Sequence, residues 1–311
     1  MARHNLTFLK GSVITTASKV HPNGVEEFIA VVGIIRGYRH VGDNLERVKI
    51  DKPVVMSRNP EIVAKMKMWS PNTIVSIKGK LSTRRMIKNS ICPECGNMNC
   101  TDGTLEYVEP IYVESHFTAE NKDTSLSYLH EIREISNQVY ALGNLATNPK
   151  KINPKKGLIV TQYMIATDRK YVTKEDSPDI TADFPWIKSY GQNAISDRDY
   201  LHQGALVFVD GCIQTRNVNR KSTCAQCGSM YGWKDRALEI VVYETEYCSG
   251  HYTPDEVEEN KKRVLRERLE AKGLGNLLDS QLAASNIPDY DEITDEDREL
   301  GMDDYEEDDI E

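Results

Sequence analysis

Seven cysteines occur in the 311-residue chain, and four of them form two Cys-x-x-Cys pairs. The pairs are Cys92/Cys95 and Cys224/Cys227, and a glycine follows each pair directly. Two thiolates separated by two residues can bind one metal ion, and the glycine permits the tight turn that such binding requires. A structural zinc ion takes four ligands, so the two pairs together supply one complete thiolate site.

The number of zinc ions, one or two per chain, is open at this stage. In one arrangement the four cysteines share a single ion, which would lock the two halves of the chain together. In the other arrangement each pair completes its own site with ligands from its own half. The additional candidates are Cys100 and His116 in the first half and Cys212, Cys248 and His251 in the second. A metal-free chain is the third alternative, and a catalytic site is disfavoured because all-thiolate sites are usually closed to water.

The cysteine pairs belong to an internal repeat in which the chain matches itself at an offset of 132 residues. Such a nearly constant offset over most of a domain length indicates a duplication. A slip of one residue aligns Arg36 with Arg169 and Tyr38 with Tyr171. Other matched positions are Gly11/Gly143, Thr15/Thr147, Lys19/Lys151, Asp51/Asp183, Ser57/Ser189, Gly79/Gly211, Thr83/Thr215 and Arg84/Arg216.

Each copy has the pattern of a β-rich domain. Apolar runs and alternating apolar and polar side chains predict strands, which include 28–35, 73–81, 159–167 and 205–213. Gly79 and Gly211 interrupt two of these strands and predict a bulge or bend. Short helical stretches at 60–68 and 192–202 separate the third and fourth strands, an order that is typical of a small closed barrel of the OB type.

We therefore predict an all-β protein of two tandem five-stranded OB-fold barrels. A cysteine knuckle is inserted between strands 4 and 5 of each barrel, and a C-terminal helix and an acidic disordered tail follow the second barrel. The predicted segments are OB domain 1 at 1–117, a linker at 118–136, OB domain 2 at 137–252, a charged helix at 253–285 and the tail at 286–311.

The second copy carries a recognisable sequence pattern. Residues 137–149 read NQVYALGNLATNP, and residues 164–169 read MIATDR. Together with 189–191 and 199–211, these segments resemble the successive strands and helix of the bacterial and phage single-stranded DNA-binding protein family. The resemblance implies an OB fold and a flexible acidic C-terminal tail that recruits replication and repair proteins.

This chain also departs from that family. The family usually has one OB domain per chain and four per tetramer, and it lacks a cysteine knuckle. Its tail typically closes in Pro-Phe, whereas this chain ends in EEDDIE at 306–311. A partner site that grips a terminal Phe would not be engaged in the same way.

Binding a single strand requires cations along the phosphates and aromatic rings that stack on bases. Because strand side chains alternate, Phe184 and Tyr190 are predicted to share one face with the two alternate residues between them, Trp186 and Lys188. The resemblance implies that Phe184 and Tyr190 lie near the family's base-stacking rings. The first copy is less aromatic, so we expect it to bind more by charge. Alternatively, some of the rings are core residues and some of the cations are simply solvated. The predicted DNA-binding residues are Arg36, Tyr38, Lys52, Arg58, Arg84, Arg169, Tyr171, Phe184, Trp186, Lys188, Tyr190 and Arg216, with Arg220 and Lys221 beyond them.

The net charge of −9 combines two opposed parts. Residues 286–311 contain 14 acidic residues and one basic residue, a local charge of −13, whereas the remaining 38 basic and 34 acidic residues give +4. We expect the tail to compete with DNA for the basic surface and to recruit replication and recombination proteins. A tail that only improves solubility is the alternative.

The leading hypothesis is a single-stranded DNA-binding protein that coats and protects DNA in replication, recombination and repair, as a monomer or homodimer. An RNA-binding or primosome-like accessory protein is the alternative. An enzyme is disfavoured, since the sequence lacks a phosphate-binding loop and a nucleophile elbow. No apolar run of 18 residues indicates a membrane span, and we expect a cytoplasmic location, at the nucleoid or a viral replication site.

Overall fold

The computed structural model describes residues 4–36, 49–152, 159–169 and 182–271. The first copy comprises β1 His4–Val20, β2 Glu26–Ile35, β3 Ile50–Asp51, β4 Val54–Ser57, α1 Pro60–Met66, β5 Thr73–Ile91 and β6 Met98–Thr118. Helices α2 Lys122–Glu131 and α3 Arg133–Ser136 connect the copies. The second copy comprises β7 Asn137–Leu145, β8 Lys150–Ile152, β9 Val160–Asp168, β10 Ala182–Asp183, β11 Trp186–Tyr190, α4 Gly191–Tyr200, β12 Leu206–Thr223 and β13 Met230–Ser249, and α5 Pro254–Ala271 follows it.

The strand pairings close into a circuit in each copy. In the first copy β1 pairs with β2, β2 with β4, β4 with β6, β6 with β5, and β5 again with β1. The second copy repeats this circuit through β7, β9, β11, β13 and β12. The pairings β4–β6 and β11–β13 are parallel and the others in the circuits are antiparallel. Alternating strand side chains determine which residues enter the core. In β7, for example, the odd-numbered residues are buried and the even-numbered ones are partly exposed.

Two glycines mark where the strands of each circuit bend. The register shifts at Gly79 in β5 and at Gly211 in β12, which confirms the bulges predicted there. A Cβ on Gly79 would lie 2.6 Å from the carbonyl oxygen of Glu109, and one on Gly211 would overlap the carbonyl oxygen of Val241. The neighbouring backbone therefore approaches too closely for any side chain.

Beyond the barrels, two long antiparallel ribbons reach the cysteine pairs. β5 and β6 stay paired as far as Ile91 opposite Met98, and β12 and β13 as far as Thr223 opposite Met230. The predicted strands end ten residues too early, at 81 and 213. The extension covers no barrel core, so its side chains show no clear apolar alternation. We call residues 84–106 the first ribbon and residues 216–239 the second ribbon.

The copies are related by an approximate twofold axis. β1 and β7 pair antiparallel with Thr7 opposite Val139, which is its own counterpart in the repeat. Buried residues of both copies belong to one continuous hydrophobic core. Two strand circuits therefore share a single sheet seam and pack as one body.

The connector is a packed element of this body. Leu129 of α2 is buried against Ile35 and Ile74 of the first copy. The Ser136 hydroxyl donates to the carbonyl oxygen of Lys10 at 2.7 Å and accepts from the backbone N–H of Ile35 at 3.0 Å. No helix among the described residues has both the length and the apolar character needed to cross a membrane.

Candidate nucleic-acid interface and cysteine cluster

The structure brings Cys92, Cys95, Cys224 and Cys227 together at the far ends of the two ribbons. Their sulfur atoms all lie within 4.8 Å of one another. The Sγ atoms of Cys92 and Cys227 are 3.7 Å apart, and those of Cys95 and Cys224 are 3.6 Å apart. Tetrahedral coordination with Zn–S bonds of about 2.3 Å requires sulfur–sulfur distances of about 3.8 Å. The donor set therefore fits one four-coordinate metal ion between the copies.

The two cysteine turns have the same backbone shape. Gly96 and Gly228 have φ angles of +72° and +74°, in the left-handed region that favours glycine. Their backbone N–H groups donate to the carbonyl oxygens of Cys92 and Cys224 at 2.9 and 3.0 Å. The glycine after each pair thus has the role in the turn that the sequence indicates.

The pKa values of Cys92, Cys95 and Cys224 shift in different directions. A backbone hydrogen bond from Cys227 lowers the pKa of Cys224 to about 6, and a hydrogen bond with Ser229 lowers the pKa of Cys92. A backbone hydrogen bond with Asn97 lowers the pKa of Cys95, but burial and the neighbouring thiols outweigh it and raise this pKa to about 12. A cation placed between the sulfurs would favour the thiolate at all four positions.

Cys100, one of the alternative zinc ligands, lies in the first ribbon opposite Asn89 and is not part of the cluster, and two further alternatives lie far from it along their strands. Cys248 and His116 lie at the ends of β13 and β6 that are far from the ribbons. Their chain neighbours Tyr247 and Ser115 are paired there with Val207 and Val75. In the part of the chain that the structure describes, the metal-suited side chains that converge at the ribbon ends are the four paired cysteines. The geometry supports the shared arrangement and gives no support to two separate sites.

A groove of about 600 Å³ lies between the first ribbon and the second copy. Thr147, Gln162 and Trp186 line it from the second barrel, and both ribbons supply the remaining walls. Its basic lining residues are Lys88, Lys150, Arg216, Arg220, Lys221 and Arg236, and its acidic ones are Asp102, Glu106, Asp235 and Glu239. Burial, together with nearby Asp235, raises the pKa of Glu106 to about 7.

Two of the predicted DNA-binding arginines are engaged in matching internal ion pairs. Arg169 forms a bidentate pair with Asp183, with N–O distances of 2.9 and 2.7 Å, and both side chains are buried. Arg36 forms the same pair with Asp51 and is partly exposed. The Nε and Nη2 atoms of each guanidinium therefore donate to a carboxylate within the fold. Each arginine and its aspartate therefore recur as a pair in both copies of the repeat.

The carboxylates of these pairs also join the two copies. Asp51 accepts a hydrogen bond from the backbone N–H of Thr215 at 2.7 Å, and Asp183 accepts one from Thr83 at 2.9 Å. Thr83 and Thr215 are counterparts in the repeat. The contact is therefore reciprocal, as expected across a twofold axis.

Lys188 is not on the exposed face that strand alternation predicts. Its side chain is 0% exposed, and Nζ lies 3.1 Å from Glu239. Glu239 also accepts a hydrogen bond from Nε of Arg216 at 2.8 Å, although Arg216 remains partly exposed in the groove. A lysine without exposed surface cannot touch a strand, so the prediction is wrong for Lys188. The reason is that Glu239, from β13, compensates its charge inside the fold.

The remaining predicted cations keep solvent access. Arg58 and Arg84 both contact the buried carboxylate of Glu27, at 2.7 and 2.9 Å, with about a third of each side chain exposed. Lys52 has an exposed side chain, while its backbone N–H donates to Thr215. These residues contribute accessible positive charge to the first copy.

The predicted aromatic residues differ in exposure. Phe184 is 43% exposed, and Trp186 and Tyr190 are partly exposed. The Tyr190 hydroxyl donates to Gln214 at 3.5 Å. Tyr38 and Tyr171 lie outside the described residues. Three of the five predicted rings are therefore placed where a base could reach them.

Sequence reasoning missed three lining residues, Trp233, Lys150 and Arg236. Trp233 lies on the strand that returns from the second cysteine pair, with Tyr231 two residues earlier on the same face. That alternation was the available signal. It could not reveal the groove, because the opposite wall comes from the other copy.

Comparison with known proteins agrees with this architecture. Residues 136–242 match the model of the single-strand binding protein family. "Single-stranded DNA-binding protein 3" of Clostridium acetobutylicum is 32% identical over 112 residues, which are 36% of this chain and 69% of that protein. The single-stranded DNA-binding protein of Thermotoga maritima is 35% identical over 82 residues, 26% of this chain and 57% of that one.

The fold is shared over a longer stretch. The crystal structure of the wild-type single-stranded DNA-binding protein from Thermus aquaticus superposes with a TM-score of 0.53 at 14% identity. The superposition covers 81% of this chain and 97% of the other. The fold and its neighbours define a mostly β-sheet OB-fold protein. With the relative from Clostridium acetobutylicum matched over 69% of its length, the chain belongs to the single-strand binding protein family.

Proposed function

We propose that this protein binds single-stranded DNA through exposed rings and cations on two tandem OB barrels. The observation that carries this function is the groove beside the second barrel, where Trp186 lies among Arg216, Arg220 and Lys221. Stacking on rings and pairing with phosphates together bind a strand without reading its sequence. Membership of the family supports the same ligand. The role is binding, with no catalytic step.

The two barrels contribute unequally. Phe184, Trp186 and Tyr190 supply stacking in the second copy, whereas Lys52, Arg58 and Arg84 supply charge in the first. Tyr38 and Tyr171, outside the described residues, keep their proposed stacking role. The proposed division is OB domain 1 at 1–117, a connector at 118–136 and OB domain 2 at 137–252, followed by the charged helix at 253–285.

The cysteine cluster holds one structural zinc ion in this proposal. Four thiolates from two turns form a closed tetrahedral set, which is typical of structural zinc. Cysteines from both copies would cross-link the ribbon ends through the ion. Native mass spectrometry of the full chain measures the stoichiometry: one zinc per chain is expected, whereas two or none would contradict a shared site.

In cells the protein would coat DNA strands during replication, recombination and repair, at the nucleoid or a viral replication site, as a monomer or homodimer. The acidic segment 286–311, outside the described residues, would compete for the basic surface and recruit partner proteins. Deleting it should tighten DNA binding at low salt and weaken partner recruitment. If the deletion leaves the affinity for DNA and its salt dependence unchanged, the proposed competition between the acidic segment and DNA is contradicted.

Titration of labelled dT oligomers of graded length, at several salt concentrations, tests the proposed function. Fluorescence anisotropy should show binding that weakens with salt, with a log–log slope of about −0.7 per phosphate contacted. Absence of binding, or a slope near zero, would contradict the proposal. Competition by poly-U equal to that by poly-dT would instead favour an RNA-binding role.

A further inference from the structure

The groove is built from both copies. Lys88, Thr101 and Glu106 line it from the first ribbon, while Trp186 and Trp233 line it from the second copy. Trp186 begins β11 in the barrel, and Trp233 lies on β13 in the second ribbon. A ligand in the groove would therefore contact the barrel and both ribbons together.

Trp233 is suited to stacking. Its indole Nε1 donates to the Ser222 hydroxyl at 2.8 Å within the same ribbon. The polar end of the ring is thus satisfied, and what it offers to a ligand is aromatic surface. Lys221, which is paired with Gly232 across the ribbon, and Arg236 are both exposed and also line the groove.

The same tryptophan reaches the cysteine cluster. It packs against a small apolar cluster formed by Cys92, Cys224 and Tyr231. The Tyr231 hydroxyl is 2.7 Å from Ser90 Oγ and accepts a hydrogen bond from Asn99 at 2.9 Å, so it binds the second ribbon to the first.

A charged contact closes the two ribbons further along. Lys88 Nζ lies 2.7 and 2.6 Å from the two carboxylate oxygens of Asp235, and Arg220 contacts the same carboxylate at 3.3 Å. The cysteine cluster, Tyr231 and this pair therefore hold the first ribbon in place as a wall of the groove.

We propose that the groove is a stacking site for unpaired nucleobases, assembled from both copies, and that metal occupancy of the cysteine cluster sets its affinity. This inference rests on the proposed function and names the path of the strand: between the first ribbon and the second barrel, against Trp186 and Trp233. Phosphates meet Lys221 and Arg236 along that path. Loss of the metal frees the ribbon ends and opens the groove.

The chain has one such site in the residues described, because the first copy lacks the rings. Val54 and Thr101 occupy the repeat positions of Trp186 and Trp233. Ile87, 62% exposed, occupies the position of Asn219, which lines the groove in the second copy. The two faces have diverged in chemistry while keeping the same backbone.

Substitution of Trp233 in the full, zinc-loaded chain tests the site. Trp233→Leu keeps an apolar side chain against the cysteines but cannot stack, so we expect dT binding to weaken roughly tenfold. Trp233→Phe should restore most of it. Wild-type affinity in Trp233→Leu, while the parent chain binds dT, would overturn the stacking site and leave the proposed function standing.

Matched charge variants keep the test independent of Trp233 packing. Arg236→Ala, in the groove, should weaken dT binding severalfold, whereas Arg85→Ala, an exposed cation of the first ribbon that does not line the groove, should change it little. Equal effects of the two variants would contradict the assigned path.

Metal dependence is measured on the same chain. Removing zinc with a chelator under reducing conditions should weaken dT binding severalfold, and added Zn²⁺ should restore it. Trp233 fluorescence should change in parallel, because the ring packs on the cluster. Identical affinities with and without the metal would overturn the coupling, whatever the outcome for the stacking site.

Discussion

Arg169 and Lys188 carry positive charge in the second copy, yet Asp183 and Glu239 neutralise both inside the fold. A buried charge requires a partner, since desolvation otherwise costs several kcal/mol. The positive residues of this chain thus include some that pair with carboxylates inside the fold and others that keep solvent access. Burial separates these two sets, and residue type does not.

The ion pairs of the two copies can be compared directly. Asp183→Ala leaves buried Arg169 without its carboxylate and Thr83 without its acceptor, which should lower the free energy of unfolding by about 3–5 kcal/mol. Asp51→Ala is the matched control and should cost less, because Arg36 is 22% exposed and can be hydrated. Urea denaturation measures both, and equal losses would contradict the argument from burial.

Glu106 should make strand binding depend on pH. Above its pKa of about 7 the carboxylate is charged and repels phosphates, whereas below it the groove loses one negative charge. We expect dT affinity to rise between pH 8 and pH 6 by roughly fivefold, the effect of about 1 kcal/mol from one unit charge. Glu106→Gln should bind equally at both values in anisotropy titrations. Lys88, Arg220 and Asp235 face the same carboxyl.

The same carboxyl should affect stability in a defined direction. Its pKa rises from the ordinary 4.5 to about 7 on folding, so the folded chain holds a proton that the unfolded chain releases. Its contribution to stability is complete below pH 4.5 and is lost as the pH rises towards 7. Glu106→Gln should accordingly raise the melting temperature at pH 8 by a few degrees, on the order expected for about 1 kcal/mol. No change at pH 8 would contradict the raised pKa of Glu106.

At the scale of elements, the bulges and the ribbons explain the shape of each copy. Strand pairing bends at Gly79 and Gly211, and it then continues as a ribbon to the cysteine turns. A bulge changes the direction of a strand without ending its pairing. The glycine that the repeat keeps in both copies therefore bends the strand within the core, shortly before the ribbon begins.

Two glycines of the second hairpin provide a matched test. Gly211→Ala brings a Cβ against the carbonyl oxygen of Val241, so we expect a loss of about 1–3 kcal/mol in the free energy of unfolding. Gly232→Ala, in the partner strand, meets no atom closer than 3.9 Å and should be nearly neutral. Thermal or urea unfolding compares them, and a neutral Gly211→Ala would mean that the strands can separate at the bulge without cost.

At the scale of the whole molecule, the copies are joined at two levels. The β1–β7 pairing and the reciprocal Asp–Thr hydrogen bonds join the strand circuits. The cysteine cluster, the hydrogen bonds of Tyr231 and the Lys88–Asp235 ion pair join the ribbons. The barrels should therefore stay associated when the cysteine cluster is released.

Hydrogen exchange can distinguish the contacts between the ribbons from the contacts at the β1–β7 seam. After zinc removal, amides of residues 84–106 and 216–239 should exchange roughly tenfold faster, because local opening no longer breaks metal bonds. Amides of β1 and β7 should keep their protection. Equal acceleration throughout the described strands would show that the metal holds the entire fold rather than the ribbons.

Much of this architecture was predictable from local signals. The repeat placed Gly79 and Gly211 at equivalent bulges, and helices α1 and α4 begin within one residue of the predicted starts at 60 and 192. The lengths of β5 and β12 were not predictable, since the ribbon segments of these strands are largely polar and have no apolar alternation to read. Lys188 illustrates a further limit, because its partner Glu239 lies on another strand.

By itself the sequence determined a duplicated β-rich chain, a family resemblance in its second copy and a set of four thiols suited to zinc. These follow from spacing along the chain, which local chemistry records directly. Only the tertiary structure decided that the thiols meet at one point, that Arg36 and Arg169 face carboxylates, and that Trp233 shares a groove with Trp186. Each of these depends on how two distant copies pack about a common axis, and no pattern within either copy encodes that relation.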